Sequence, residues 1–207
     1  GEFLNNLLRQ PLCLEQLQHN LTATIGLASL ELIDGTGSDA LKAANIALKH
    51  GKQHRRGGIS HFSRDMEFET RARVRLLQDL RSAFERERLF VVYQPQVRLS
   101  DRQLIGVEAL LRWRNDDGSF VAPAQFIPLA ESSGLIISLG EWVLRSACHD
   151  LQRINQHSAQ PLRMAVNVSV MQFRQPNFLD VLDRTLSESA IDPRLLELEI
   201  TESVAML

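Results

Sequence analysis

Cysteine is scarce: Cys13 and Cys148 are the only two in 207 residues, and they form no CxxC pair. That excludes a disulfide framework and a cysteine-based zinc or redox motif, and it leaves two reduced thiols in a cytoplasmic protein as the expectation. A dominant charge sign is also missing. With 23 Lys and Arg against 25 Asp and Glu, the formal net charge is -2, so no electrostatic argument points to a nucleic-acid polymer or a membrane surface. No apolar run approaches the roughly 20 residues of a membrane span. The start, Gly1-Glu2-Phe3, has neither a Met nor a signal-peptide pattern, and reads as the interior of a longer chain or a cloning remnant. What is there, 44% hydrophobic and 23% charged residues, is an ordinary globular composition.

Along the chain, Leu4, Leu7, Leu8, Leu12 and Leu17 make a weak helical pattern over 4–17, broken by Pro11. Residues 21–28 read as a strand, and Gly35-Thr36-Gly37-Ser38 as a turn. Ser38 and Asp39 are candidate N-caps for a helix from Ala40 to about His50. Residues 59–62 suit a short edge strand. This block is poor in large apolar residues and makes only a small core. Residues 65–88 read as one long helix with Val74, Leu77, Leu80 and Phe84 on a single face. Its arginines alternate with acids, which fits a solvated connecting helix better than a nucleic-acid surface.

The pattern then changes. Residues 90–97 and 104–114 are strand-like and joined by the polar turn Ser100-Asp101-Arg102. Pro123 opens a helix to Ser133, and Val143, Leu144, Ala147, Leu151 and Ile154 mark an amphipathic helix. A strand over 162–170, a helix over 177–189 and a strand over 195–201 follow. Strands alternating with helices predict βαβ units, and so a barrel or an open α/β sheet.

Three of these strands mix chemistry with apolar packing. Side chains alternate faces along a strand, so Glu108, Leu110 and Arg112 share one face, Asn167 and Ser169 another, and Glu197, Glu199 and Thr201 a third. Each opposite face is apolar. In a parallel barrel the apolar faces pack on helices, and the polar faces point to a site at the carboxyl ends of the strands. Glu108, Asn167 and Glu199 offer two carboxylates and an amide oxygen, a set that suits Mg²⁺ or Mn²⁺ and suits zinc poorly. A cation held there fits metal-assisted phosphodiester hydrolysis, with Arg112 pairing a phosphate oxygen. Taken singly, each of these residues is more often a half-exposed strand end than a ligand.

The strings Tyr93-Gln94-Pro95, Glu108-Ala109-Leu110-Leu111-Arg112-Trp113, Phe126-Ile127-Pro128-Leu129-Ala130-Glu131, Asn167-Val168-Ser169 and Glu199-Ile200-Thr201-Glu202 resemble the EAL domain family from about Phe84 to the end. Every family position within this stretch carries the expected residue type. The resemblance implies a modified (β/α)8 barrel that cleaves cyclic di-GMP to linear pGpG. It implies Glu108, Asn167 and Glu199 as ligands of Mg²⁺ or Mn²⁺. It implies Glu202 as a catalytic-loop support, and Gln94 and Arg112 as contacts to the dinucleotide. The first block resembles, more weakly, the end of GGDEF (diguanylate cyclase) domains, through residues 21–28 and 44–52. Asn45, Lys49 and Gly51 depart from that pattern, which marks a degenerate copy. Gly1-Glu2-Phe3 is too close to Thr24 to be the signature itself.

The organisation expected is therefore a partial degenerate GGDEF domain over 1–64, a linker helix over 65–88, and the N-terminal half of an EAL domain over 89–207. The fold is α/β: an incomplete (β/α)8 EAL-type barrel preceded by the C-terminal piece of an α/β GGDEF-type domain. A (β/α)8 barrel needs roughly 200 residues or more, and the family's later acidic, lysine and glutamine motifs do not appear. This implies a fragment of a longer GGDEF–EAL protein, inactive on its own. The parent is expected to be a cytoplasmic phosphodiesterase, with an upstream membrane tether left open. A non-catalytic cyclic di-GMP receptor is the alternative. Barrels of this kind commonly pair, so a homodimer is a candidate assembly.

Overall fold

The computed structural model describes residues 21–200 except positions 34 and 55, and before them Phe3, Leu7, residues 12–14 and residues 17–19. The chain falls into two compact units, Gly1–Arg75 and Leu76–Leu207.

In the first unit, β1 (Leu12–Leu14) and β2 (Leu17–His19) form an antiparallel hairpin with Leu14 opposite Leu17. This corrects the helical reading at Leu12–Leu14 and Leu17, whereas Leu7 is helical and the rest of 4–17 lies outside the described residues. In the sequence Pro11, which cannot donate to a helix ladder, precedes the extended residues. β3 (Ile25–Leu27) is shorter than the strand expected over 21–28. It pairs in parallel with β4 (Ile59–His61) across helix α1 (Gly37–His54), a βαβ unit. A Cβ on Gly26 would lie 2.2 Å from the Ala44 carbonyl oxygen, so β3 sits against α1 with no room for a side chain.

α1 begins before Ala40. The Thr36 carbonyl accepts the Asp39 and Ala40 amides, and Asp39 Oδ2 accepts from the Thr36 amide and hydroxyl, both at 3.0 Å. Asp39 thus reaches back in the manner of a capping box rather than capping the helix itself. The Thr36 amide and the Lys42 ammonium hold its carboxyl down at about 2. The core here is small: Ala43, Ala47 and Phe62, flanked by Ala28, Ile33, Ile46 and Met66.

Helix α2 spans Arg64–Glu85. Within the second unit its buried stripe is Leu76, Leu80, Ala83 and Phe84, whereas Val74, expected on the same face, is exposed. β5 (Leu89–Val97) and β6 (Leu104–Arg114) form an antiparallel hairpin, closed by Arg98 on Asp101 at 2.7 Å. β7 (Phe120–Val121) adds a short antiparallel pair to β6. Helices α3 (Pro123–Ser133) and α4 (Leu135–Gln156) meet at Gly134, whose φ of 78° is the left-handed value glycine tolerates. They lead to β8 (Arg163–Val168), which pairs in parallel with β6. α5 (Val170–Phe173) and α6 (Phe178–Ser189) then lead to β9 (Leu196–Ile200), parallel to β8. The strand order is β5-β6-β8-β9.

The alternation in these strands has a physical consequence. Val107, Ala109, Met164 and Val166 are buried against Val143, Leu144, Ala147, Cys148 and Leu151 of α4, with Leu196 and Leu198 packed alongside. The apolar faces of β6 and β8 thus lie on α4, that of β9 joins the same cluster, and their polar residues are turned the other way. Trp113 stacks edge-on to Phe126 in a second cluster with Leu80 and Leu139.

Candidate functional site

β6, β8 and β9 are adjacent and parallel, so the positions that oppose their apolar faces line up across the sheet. Register sets Gln94 opposite Glu108 and Asn167 opposite Glu199. Asn167 and Glu199 each stand one residue before the end of their strand. Asn167 Nδ2 donates to Glu108 Oε1 at 2.8 Å. Burial, reinforced by the negative charges of Glu108 and Glu197, pushes the Glu199 carboxyl above its ordinary value. Glu108, Asn167 and Glu199, singled out in the sequence, are therefore brought together. Gln94 is on the neighbouring strand and exposed, and its side chain makes no hydrogen bond among the described residues.

Arg112 lies four residues beyond Glu108 on β6. It donates to the Leu111 carbonyl at 2.9 Å, and among the described residues it has no carboxylate partner. Glu202 and Thr201 lie outside the described residues.

Among the described residues no three His, Cys, Asp or Glu side chains cluster as a metal site. The donors that do converge are two carboxylates and an amide, all oxygen ligands suited to a hard cation. Burial first, and then the charges of Glu108 and Glu197, raise the Glu199 carboxyl; among the described residues Arg163 approaches Glu197 at 3.8 Å, and no ion pair is made by Glu108 or Glu199. The donor set therefore fits Mg²⁺ or Mn²⁺, with Glu108, Asn167 and Glu199 as the residues that would hold it.

A cavity of about 250 Å³ opens where β6 and β8 part, lined by Leu110, Arg112, Ile127, Glu131, Asn167 and Ser169 among others. A larger one, about 550 Å³, lies wholly in the first unit between Asp39, Phe62 and Phe68 and contains none of the site residues.

The turn after Asn167 is built by Ser169, Gln172 and Glu131, none of which the sequence marks as a ligand or substrate contact. Ser169 caps α5: its Oγ accepts from the Met171 amide at 3.3 Å, and Gln172 Oε1 accepts from the Ser169 amide at 3.0 Å. The Ser169 hydroxyl donates to Glu131 Oε1 on α3 at 3.0 Å. The signal was present, since Ser-x-x-Gln directly after a strand is the pattern of a capping box.

A family model, the EAL domain, matches residues 77–207. The chain belongs to the EAL domain family. Its EAL-type α/β fold is shared with the solved PaMucR phosphodiesterase in complex with c-di-GMP. That match has 42% identity and a TM-score of 0.61, over 64% of this chain and 53% of that one. Among curated proteins the chain is similar to the bifunctional diguanylate cyclase/cyclic di-GMP phosphodiesterase MucR of Pseudomonas aeruginosa. The identity is 36% over 206 residues, all of this chain and 30% of that protein. It is also similar to the cyclic di-GMP phosphodiesterase NbdA of the same organism, 32% identical over 96% of this chain and 25% of that protein. The chain thus spans a third or less of these curated relatives. No single described helix of the EAL domain, or of the segment before it, is long and apolar enough to cross a membrane.

Proposed function

We propose that this EAL domain serves in a divalent-metal-dependent phosphodiesterase that hydrolyses cyclic di-GMP to linear pGpG. The observation that carries this reading is the convergence of Glu108, Asn167 and Glu199 on one face of three neighbouring strands, with Arg112, which has no carboxylate partner among the described residues, beyond them. Relatives named as cyclic di-GMP phosphodiesterases support it.

In this reading Glu108, Asn167 and Glu199 hold Mg²⁺ or Mn²⁺, which when bound supplies Lewis-acid stabilisation of a phosphoryl oxygen and lowers the pKa of water. Arg112 offers its planar fork of N–H donors to a phosphate. Gln94, whose amide offers both donor and acceptor atoms, orients the dinucleotide beside Glu108. Glu202 supports the loop that shapes the site. Hydrolysis breaks one of the two phosphodiester links, and water supplies the new oxygen. The acids alone would repel a dianionic dinucleotide, which is why substrate and cation bind together in this scheme.

The wider organisation proposed with it is a degenerate GGDEF piece over 1–64, a linker helix over 65–88, and the first part of a (β/α)8 barrel from residue 89. A cytoplasmic setting and a homodimer accompany it. The test is conversion of cyclic di-GMP to pGpG by the full-length protein in Mg²⁺ or Mn²⁺, followed by chromatography. Glu108→Ala is expected to abolish turnover. Tight binding of the dinucleotide without pGpG would replace this reading with that of a receptor, and metal-dependent turnover retained by Glu108→Ala would overturn the ligand assignment.

A further inference from the structure

Glu131 has no part in the scheme above, yet it is tied to it through a single hydroxyl. Ser169 lies two residues beyond Asn167, and its hydroxyl is engaged both as donor and as acceptor. It accepts from the Met171 amide and gives its only proton to Glu131 Oε1. The Ser169 amide is held in turn by Gln172, which is buried at 7% exposure. Gln172 lies over Gly140 of α4, where a Cβ would stand 1.8 Å from Gln172 Nε2. The end of β8 is therefore clasped from three elements: α3 through Glu131, α5 through its own cap, and α4 through the space that Gly140 leaves. Val168, between the clasp and Asn167, is buried at 4% exposure and cannot turn freely.

We propose that Glu131 is a positioning residue: through Ser169 it fixes the turn that follows Asn167, and so sets the cation affinity of the Glu108–Asn167–Glu199 set. This rests on the metal-site reading given above. The physical case is that Asn167 brings only one neutral amide oxygen to a cation, so its contribution depends on orientation more than that of a carboxylate with two equivalent oxygens. Hydrogen bonds that orient metal ligands from behind commonly govern affinity for that reason. Glu131 also lines the cavity shared with Asn167 and Arg112, so loosening it opens space beside the amide.

The experiment is Mn²⁺ binding to the full-length, nucleotide-free protein, followed by the paramagnetic signal of free Mn²⁺, with kcat measured as a function of Mn²⁺ concentration. Glu131→Ala is expected to weaken Mn²⁺ binding about tenfold or more and to regain its kcat at saturating Mn²⁺. Glu131→Gln, which keeps an acceptor oxygen for the Ser169 hydroxyl, is expected to stay close to the wild type. Ser169→Ala removes the same bond from the other side, so the double variant should lose no more than Ser169→Ala alone, and it serves as the probe if Glu131→Ala does not fold. Mn²⁺ affinity unchanged in Glu131→Ala or Ser169→Ala, with the wild type binding normally, overturns the clasp. A wild type that binds no Mn²⁺ overturns the metal-site reading itself, and is recognised by that control before any variant is compared.

Discussion

Replacing Gly140 with alanine sets two effects of opposite sign against each other. Gly140 lies inside α4, where an exposed Gly→Ala change would gain about 1 kcal/mol of helix propensity. The new methyl would stand 1.8 Å from Gln172 Nε2, 2.2 Å from its Cδ and 2.5 Å from its Oε1. All three are below any real contact distance, so the Gln172 amide must leave its place. Moving a flexible side chain is cheap at a surface, but this one is buried and accepts the Ser169 amide. Its displacement removes half of the capping box, worth about 1 kcal/mol, and overpacks a close site at about 1–3 kcal/mol. The net expectation is a loss of about 1–3 kcal/mol, which shifts the melting temperature of a unit of this size by roughly 3–10 °C. Urea denaturation of the full-length protein and its Gly140→Ala variant measures this directly. Gly140→Ser would be no milder, since it carries the same Cβ. A Gly140→Ala protein as stable as the wild type, or more stable, would mean that propensity wins and that Gln172 is not held where it is described, which removes one of the three anchors of the β8 turn.

The elements legible in the sequence were those whose period is set by burial. α3 begins at Pro123 and ends at Ser133, as its Pro-to-Gly punctuation predicts, and α4 follows the stripe Val143, Leu144, Ala147 and Leu151. β6, β8 and β9 fall where alternating runs place them, because one face of each joins a single apolar cluster and a one-residue slip would turn every polar side chain inward. The failures have a common cause. The leucines of 4–17 carry helical spacing, but Leu12–Leu14 pairs with Leu17–His19, and a pattern so short cannot distinguish the two periods. β7 has two residues and α5 four, below the length at which a period can be read. Val74 fits the apolar stripe of α2 by spacing but is exposed, because spacing marks a face without saying what lies opposite it. The site divides in the same way. The ligand-type residues announce themselves as polar side chains on apolar strands. Glu131, Ser169, Gln172 and Gly140 are common residues whose function lies only in which of them meet, and that depends on how α3 and α4 return over the sheet.

Two further predictions concern groups the helices cover. The Tyr93 hydroxyl donates to Asp150 Oδ2 at 2.6 Å, joining β5 to α4, and burial together with that carboxylate raises its pKa; Tyr93→Phe should cost about 1–2 kcal/mol in thermal denaturation, and an unchanged melting temperature would show that bond to contribute nothing. Cys148, fully buried beneath the sheet, has its thiol pushed up to about 11 by desolvation. Its neutral form is the one folding favours, so the sign follows from linkage: the contribution is fully present below the unfolded-chain pKa of about 8.5 and is lost as pH rises through the folded value. The difference in stability between the wild type and Cys148→Ala should therefore be constant from neutral pH to about pH 8 and shrink by about 2–3 kcal/mol toward pH 11. The subtraction removes whatever else in the chain responds to alkaline pH in both proteins alike. The same burial makes the thiol inert at pH 8, where only about one molecule in a thousand would carry a thiolate, so peptide mapping after iodoacetamide should find Cys148 unmodified in the native protein and alkylated in urea. Rapid native labelling, or a difference that holds flat to pH 11, would mean that water reaches the layer between α4 and the strands, and that the apolar faces of β6, β8 and β9 are not closed as their packing requires.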